Sequence, residues 1–159
     1  DILSNLEADI QSIRYTVSGE EVELPVKLRV HDSVFTPLAK WSMLMAGNYR
    51  CVQESGMRPI KDAVHSDLSA SESVYEWVID LCEKLGGERG DLVPFEKYAN
   101  AALSLVNPSS AARALANGAP NIERVDKLVQ SLAAQHGMQS VVVDETVSIV
   151  DSWLRKNRS

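Results

Sequence analysis

Apolar residues recur along this chain at two spacings, and each spacing predicts a kind of element. Ile2, Leu3, Leu6, Ile10 and Ile13 fall at the three-and-four spacing of an amphipathic helix. Ser18-Gly19 comes next as a turn pair. Before it lies a short run, residues 13–17, and after it Val22, Leu24, Val26, Leu28 and Val30 alternate with polar residues or Pro25. Alternation buries one face of a strand, so this stretch reads as a strand pair or a sheet edge, and Pro25 suits an edge. Residues 31–35 connect it to a helix.

From Thr36 onward the spacing is helical. Thr36 is a candidate N-cap with Pro37 at the first helical position, and the helix is expected to run to about Val52, stopped by Ser55-Gly56. Arg58-Pro59 opens a short helix through Val64. Ser69 followed by Glu72 fits a capping box, and Val74, Trp77, Val78, Leu81 and Leu85 stripe the helix behind it until Gly86-Gly87. Residues 88–91 read as a solvated charged loop. Pro94 opens a helix through about Val106, with Phe95, Tyr98, Ala102 and Leu105 inward. Ser109 or Ser110 caps a short helix over residues 111–116, closed by Asn117-Gly118. Asn121 is a candidate cap for the next helix, striped by Ile122, Val125, Leu128, Val129 and Leu132 and ended by His136-Gly137. Residues 141–143 read as extended or loop. Asp144 then caps a last helix with Val147, Val150, Trp153 and Leu154 inward, and Arg155, Lys156 and Arg158 suit its C-terminus. The expected fold is mainly α, an orthogonal helical bundle with a short β segment near the N-terminus. Residues 1–35 read as a piece apart from the helical domain 36–159.

Composition narrows the partners. The chain has 159 residues, 45% apolar and 24% charged, ordinary for one globular domain. A net charge of -6 argues against a nucleic-acid or anionic-membrane surface as the main partner. No apolar run reaches the ~18 residues of a membrane span, and no signal peptide is visible, so the expected location is cytoplasmic. Cys51 and Cys82 lie in apolar helical patterns and read as reduced core thiols. His31, His65 and His136 are isolated from one another, and no metal site is expected. The chain opens at Asp1, inside what reads as a helix, which suggests a piece of a longer protein.

The candidate chemistry centres on residues 36–48. Lys40 interrupts an otherwise apolar helix, and a buried ammonium is costly without a partner or a use. Asn48 lies eight positions on, two turns away and on nearly the same face. An ammonium and a carboxamide pointing together would meet a carbonyl or carboxylate ligand.

Two motifs bring a family into view. Leu38-Ala39-Lys40-Trp41 resembles the segment that holds the catalytic lysine of ketopantoate reductases (2-dehydropantoate 2-reductases). Asn107-Pro108-Ser109-Ser110, with Ala114-Leu115, Gly118, Ile122-Glu123 and Val125-Asp126 after it, is similar to that family's Ser-Ser segment and the start of its next helix. The resemblance covers roughly 120–130 residues, by the lengths of the helices. It implies the helical C-terminal domain of such enzymes, a fold shared with the C-terminal domain of 6-phosphogluconate dehydrogenase. It also implies an NADP-dependent reduction of a 2-keto acid to a 2-hydroxy acid, as in pantothenate biosynthesis, and a possible homodimer. On this resemblance Lys40 is the proton donor at the ketone oxygen. Asn48, Asn107, Ser109 and Ser110 hold the substrate, and Glu123 grips its hydroxyl. Hydride addition builds negative charge on a ketone oxygen, so a positioned ammonium lowers that barrier.

The chain departs from the family at Leu44, Ile122 and Lys127, where asparagine, threonine and glycine are usual, and Glu123 matches only with a one-residue shift. No Gly-x-Gly-x-x-Gly stands in the chain, so NADP would be bound mainly by a domain missing from it, of which residues 1–35, a helix plus a strand pair, would be a remnant or linker. The fragment alone is expected to be inactive. Structural roles stay open for each candidate: a snorkelling stem for Lys40, a helix end for Asn48, a turn for Asn107, caps for Ser109 and Ser110, and a first-turn acid for Glu123. Asp126 with Lys127 reads as a solvated face. Leu44 and Lys127 favour a second account, a non-catalytic dimerisation or protein-binding module. A third is the helical domain of another β-hydroxyacid or 6-phosphogluconate-type dehydrogenase, which would keep Lys40 and change the substrate.

Overall fold

The computed structural model of the chain describes residues 2–24, 26, 28–30 and 35–159. They fall into two compact units, residues 1–34 and residues 35–159. Pro25 and His31 lie outside the described residues.

The first unit is a helix and a hairpin. Helix α1, Ile2–Ser12, is followed by β1, Arg14–Val17, and β2, Glu20–Glu23. The strands pair antiparallel with Arg14 opposite Glu23, whose side chains also form an ion pair at 3.1 Å. Ser18 and Gly19 both have positive φ, 55° and 88°, the two-residue turn whose twist matches a hairpin. The strand anticipated to reach Val30 stops at Glu23. Beyond it, Glu7 accepts from the Val30 amide at 3.2 Å and pairs with Arg29, which ties that segment to α1. Among the described residues of this unit none is buried.

The second unit is helical. Its first helix, residues 36–51, is wound three ways: 3-10 over Thr36–Lys40, α over Trp41–Met43 (α2), π over Leu44–Asn48, and 3-10 again over Tyr49–Cys51. The Tyr98 hydroxyl donates to the Met43 carbonyl at 3.1 Å, at the point where the helix steps to the wider π spacing. Gly47 permits that approach, because a Cβ there would stand 1.9 Å from the Tyr98 oxygen. The helix ends in a small hairpin, β3 (Val52–Gln53) and β4 (Gly56–Met57), where a plain helix stop was expected.

Six helices come after it: α3 (Ile60–His65), α4 (Leu68–Lys84), α5 (Phe95–Ala102), α6 (Ser110–Ala116), α7 (Val125–Gln135) and α8 (Val141–Arg158). Several starts differ from expectation. Asp67, in extended conformation, caps α4 by accepting from the Ala70 amide at 2.9 Å, so Ser69 lies inside the helix. Ser140 caps α8, and residues 141–143 are its first turn rather than a loop; Asp144 binds Gln130 instead. Helix α7 starts at Val125, not behind Asn121. Helix α5 stops at Ala102, and Leu105 is 40% exposed. The turn after it serves α3, whose first amides need acceptors: the carbonyls of Leu105 and Asn107 take the amides of Lys61 and Ile60.

The core joins the 36–51 helix to α3–α8, with Tyr75, Met45, Leu81 and Leu115 among its fully buried side chains. Tyr75 stacks on Tyr98 and meets Phe95 edge-on, at ring distances of 5.5 and 5.3 Å. Cys51 and Cys82 are buried free thiols, and burial pushes the Cys82 thiol up to about 11. Among the described residues no helix is long and apolar enough to cross a membrane.

Candidate functional site

Three of the six predicted site residues line one cleft of about 310 Å³. Asn48 comes from the end of the π turn, Ser110 from the first turn of α6, and Glu123 from the segment before α7. Leu44 closes the same cleft. A neighbouring cleft of about 320 Å³ shares Asn48 and Ser110 and adds Asn107, Ser109 and Arg113.

Ser109 builds the wall between them. Its hydroxyl is buried, donates to the Asn48 carbonyl at 2.7 Å and accepts from the Ala112 amide at 3.2 Å. One group therefore caps α6 and fastens it to the π turn. Its proton is engaged, so Ser109 offers a ligand only acceptor capacity. The Asn107 side chain is exposed, while its carbonyl receives Ile60.

Tyr49 fixes the opposite wall. Its hydroxyl donates to the Glu123 carbonyl at 2.6 Å and accepts from the Val125 amide at 3.0 Å. Burial pushes this phenol up to about 12. Next to it Arg124 forks onto Asp126 at 2.8 and 2.9 Å and also reaches Asp151, which Lys127 contacts at 3.3 Å. Asp126 is therefore fully buried and paired with Arg124, not part of a solvated face; Lys127 is exposed and pairs with Asp151 instead. Partial burial works to raise the Asp151 carboxyl, but Arg124 and Lys127 outweigh it and hold it below its usual value.

Lys40 lines neither cleft and is exposed at the end of the first 3-10 turn. Asn48 lies on the π turn two turns further along the helix, and the cleft lining reaches back only as far as Leu44. Leu44, one turn after Lys40, reaches the cleft in its stead.

Chemically, the first cleft offers a carboxamide, a hydroxyl and an exposed carboxylate, and the second adds the Arg113 guanidinium. Arg113 is the cation that sequence reasoning passed over. Three residues after Ser110 on a short helix, it shares that helix's exposed side with Ser110. Tyr49 and Arg124 carried no local signal, because their partners lie in contacts that sequence spacing does not encode. Compared with known proteins, the chain matches no protein-family profile, no curated protein and no solved structure.

Proposed function

We propose that residues 35–159 are the substrate-binding helical domain of a ketopantoate-reductase-like, NADP-dependent reductase of 2-keto acids, whose nicotinamide domain is not in this chain. The observation that carries the reading is the shared cleft: Asn48, Ser110 and Glu123, 75 positions apart at the extremes, line one hollow. In this reading the Asn48 carboxamide and the Ser110 hydroxyl orient the substrate, Arg113 faces its carboxylate, and Glu123 accepts from its hydroxyl. Lys40, exposed one turn above Leu44, meets the ketone oxygen only when a nicotinamide domain and substrate complete the site. It stabilises the developing charge and delivers the proton.

The test supplies the missing half. With a nicotinamide-binding domain fused or co-expressed, ketopantoate reduction is expected to fall ~10²–10⁴-fold in kcat for Lys40→Ala. Unchanged turnover removes Lys40 from the mechanism. The exposed, unlined position of Lys40 and the apolar Leu44 favour a second reading, a helical dimerisation or protein-binding module without chemistry. That reading expects no ketopantoate binding by the chain and no effect of Asn48→Ala or Ser110→Ala on any ligand.

A further inference from the structure

A cleft of about 540 Å³ lies between the β3–β4 hairpin and the early turns of α8. It shares no residue with the two clefts around Asn48. Two half-buried arginines, Arg50 and Arg58, line it. Both are oriented by neutral groups. Arg50 Nη1 donates to Ser71 Oγ at 2.6 Å and to the Ala46 carbonyl at 3.3 Å. Arg58 Nε donates to the Arg50 carbonyl at 2.9 Å, and its Nη1 to Ser66 Oγ at 3.1 Å. Ser71 is itself buried and passes its proton to carbonyls of the α3–α4 turn, 2.8 Å from that of Val64. The guanidiniums are thus held in place by a fixed polar scaffold.

Neither has a counter-charge at ion-pair distance among the described residues. Two exposed glutamates, Glu54 and Glu145, line the same cleft without pairing to them. Burial, and then the neighbouring Arg58 charge, pulls Arg50 below the usual guanidinium range, and the Asp67 carboxylate, beyond ion-pair distance, offsets this only in part. Like charges held together and partly out of water are costly unless something neutralises them. Each guanidinium keeps an Nη2 group with no protein partner among the described residues. An oxyanion is the group that matches such a fork.

We propose that this cleft binds the carboxylate or phosphate end of a small anionic ligand between Arg50 and Arg58. The volume suits a small molecule. Glu54 and Glu145 set the selectivity: they repel a polyanion and favour a ligand with one acidic end and a hydrogen-bond-donating remainder.

The test tracks the arginine Nε–H resonances of the chain by NMR while inorganic phosphate or acetate is added at constant ionic strength. Saturable shifts at Arg50 and Arg58 in the low-millimolar range support the site, and the stronger of the two anions identifies the end group. Arg58→Gln is expected to weaken binding about tenfold or more. Glu145→Gln, an exposed change that leaves the scaffold intact, is expected to tighten it several-fold, and it keeps the test decisive if Arg58→Gln does not fold. Asn48→Ala leaves this binding unchanged, so the result stands apart from the fate of the reductase reading. Shifts that never saturate, that appear equally at Arg113, or that ignore Glu145→Gln overturn the proposal.

Discussion

Helices α1 and α8 carry the same apolar spacing and have opposite fates. Along α8, Val143, Val147, Val150 and Leu154 are all buried. Along α1, Ile2, Leu3 and Leu6 remain exposed, and no residue of the helix is buried. Periodicity predicts the element and the face it offers; it says nothing about whether anything covers that face. The stability of the second unit therefore rests on burial, while the first rests on a hairpin, one turn and the contacts of Glu7.

The sharpest way to break this comparison is a pair of leucine truncations. Leu115→Ala, at a fully buried position, is expected to cost about 2–5 kcal/mol in urea unfolding. Leu6→Ala, at a site 46% exposed, is expected to stay within about 0.5 kcal/mol. A large loss from Leu6→Ala would mean that the face of α1 is covered in solution.

The next effect is electrostatic. Asp126→Asn leaves Arg124 with only part of its partner set in a mostly buried place, and is expected to cost about 3 kcal/mol. Because Arg124 adjoins Glu123, the same change is expected to loosen the cleft wall, read as faster hydrogen exchange at Val125. A loss below about 0.5 kcal/mol would return this pair to the status of a surface contact.

The smallest effect is on the alkaline limb. Burial raises the Tyr49 phenol from 10.0 to about 12 and the Cys82 thiol from 9.0 to about 11. Both are acids whose neutral form the fold prefers, so the stability they contribute is complete below their unfolded values. It is lost as pH rises, from about 9 for Cys82 and from about 10 for Tyr49. Unfolding midpoints measured from about pH 8 to about pH 12 should fall along that course in the wild type and less steeply in Tyr49→Phe. An identical slope in the two proteins would show that the phenol has no part in it.

Most of the helical order of residues 36–159 could be read from periodicity and stop signals: Gly86, Gly118 and Gly137 all take positive φ just beyond a helix. Helix starts were less legible, because a capping group is chosen by geometry. Asp67 and Ser140 have extended backbones that turn their oxygens onto amides three residues later, and the polar residues two and four positions beyond them fit the same motifs on paper. Buried Asp126 escaped for a different reason: its partner Arg124 is two residues away, a spacing that on a regular helix points side chains apart. Arg124 precedes the helix, which frees it to fold back. The winding of residues 36–51 was the least legible: no local signal marks the step to π spacing, which lies beside a hydroxyl 55 positions away.

The clip made by Tyr49 has a practical consequence. The Val125 amide is held by a phenolic oxygen from the far side of the hollow, not by a helix carbonyl. Its protection against deuterium thus records whether the two walls are closed, and a single backbone resonance becomes a resident gauge of occupancy for any compound tried against this chain.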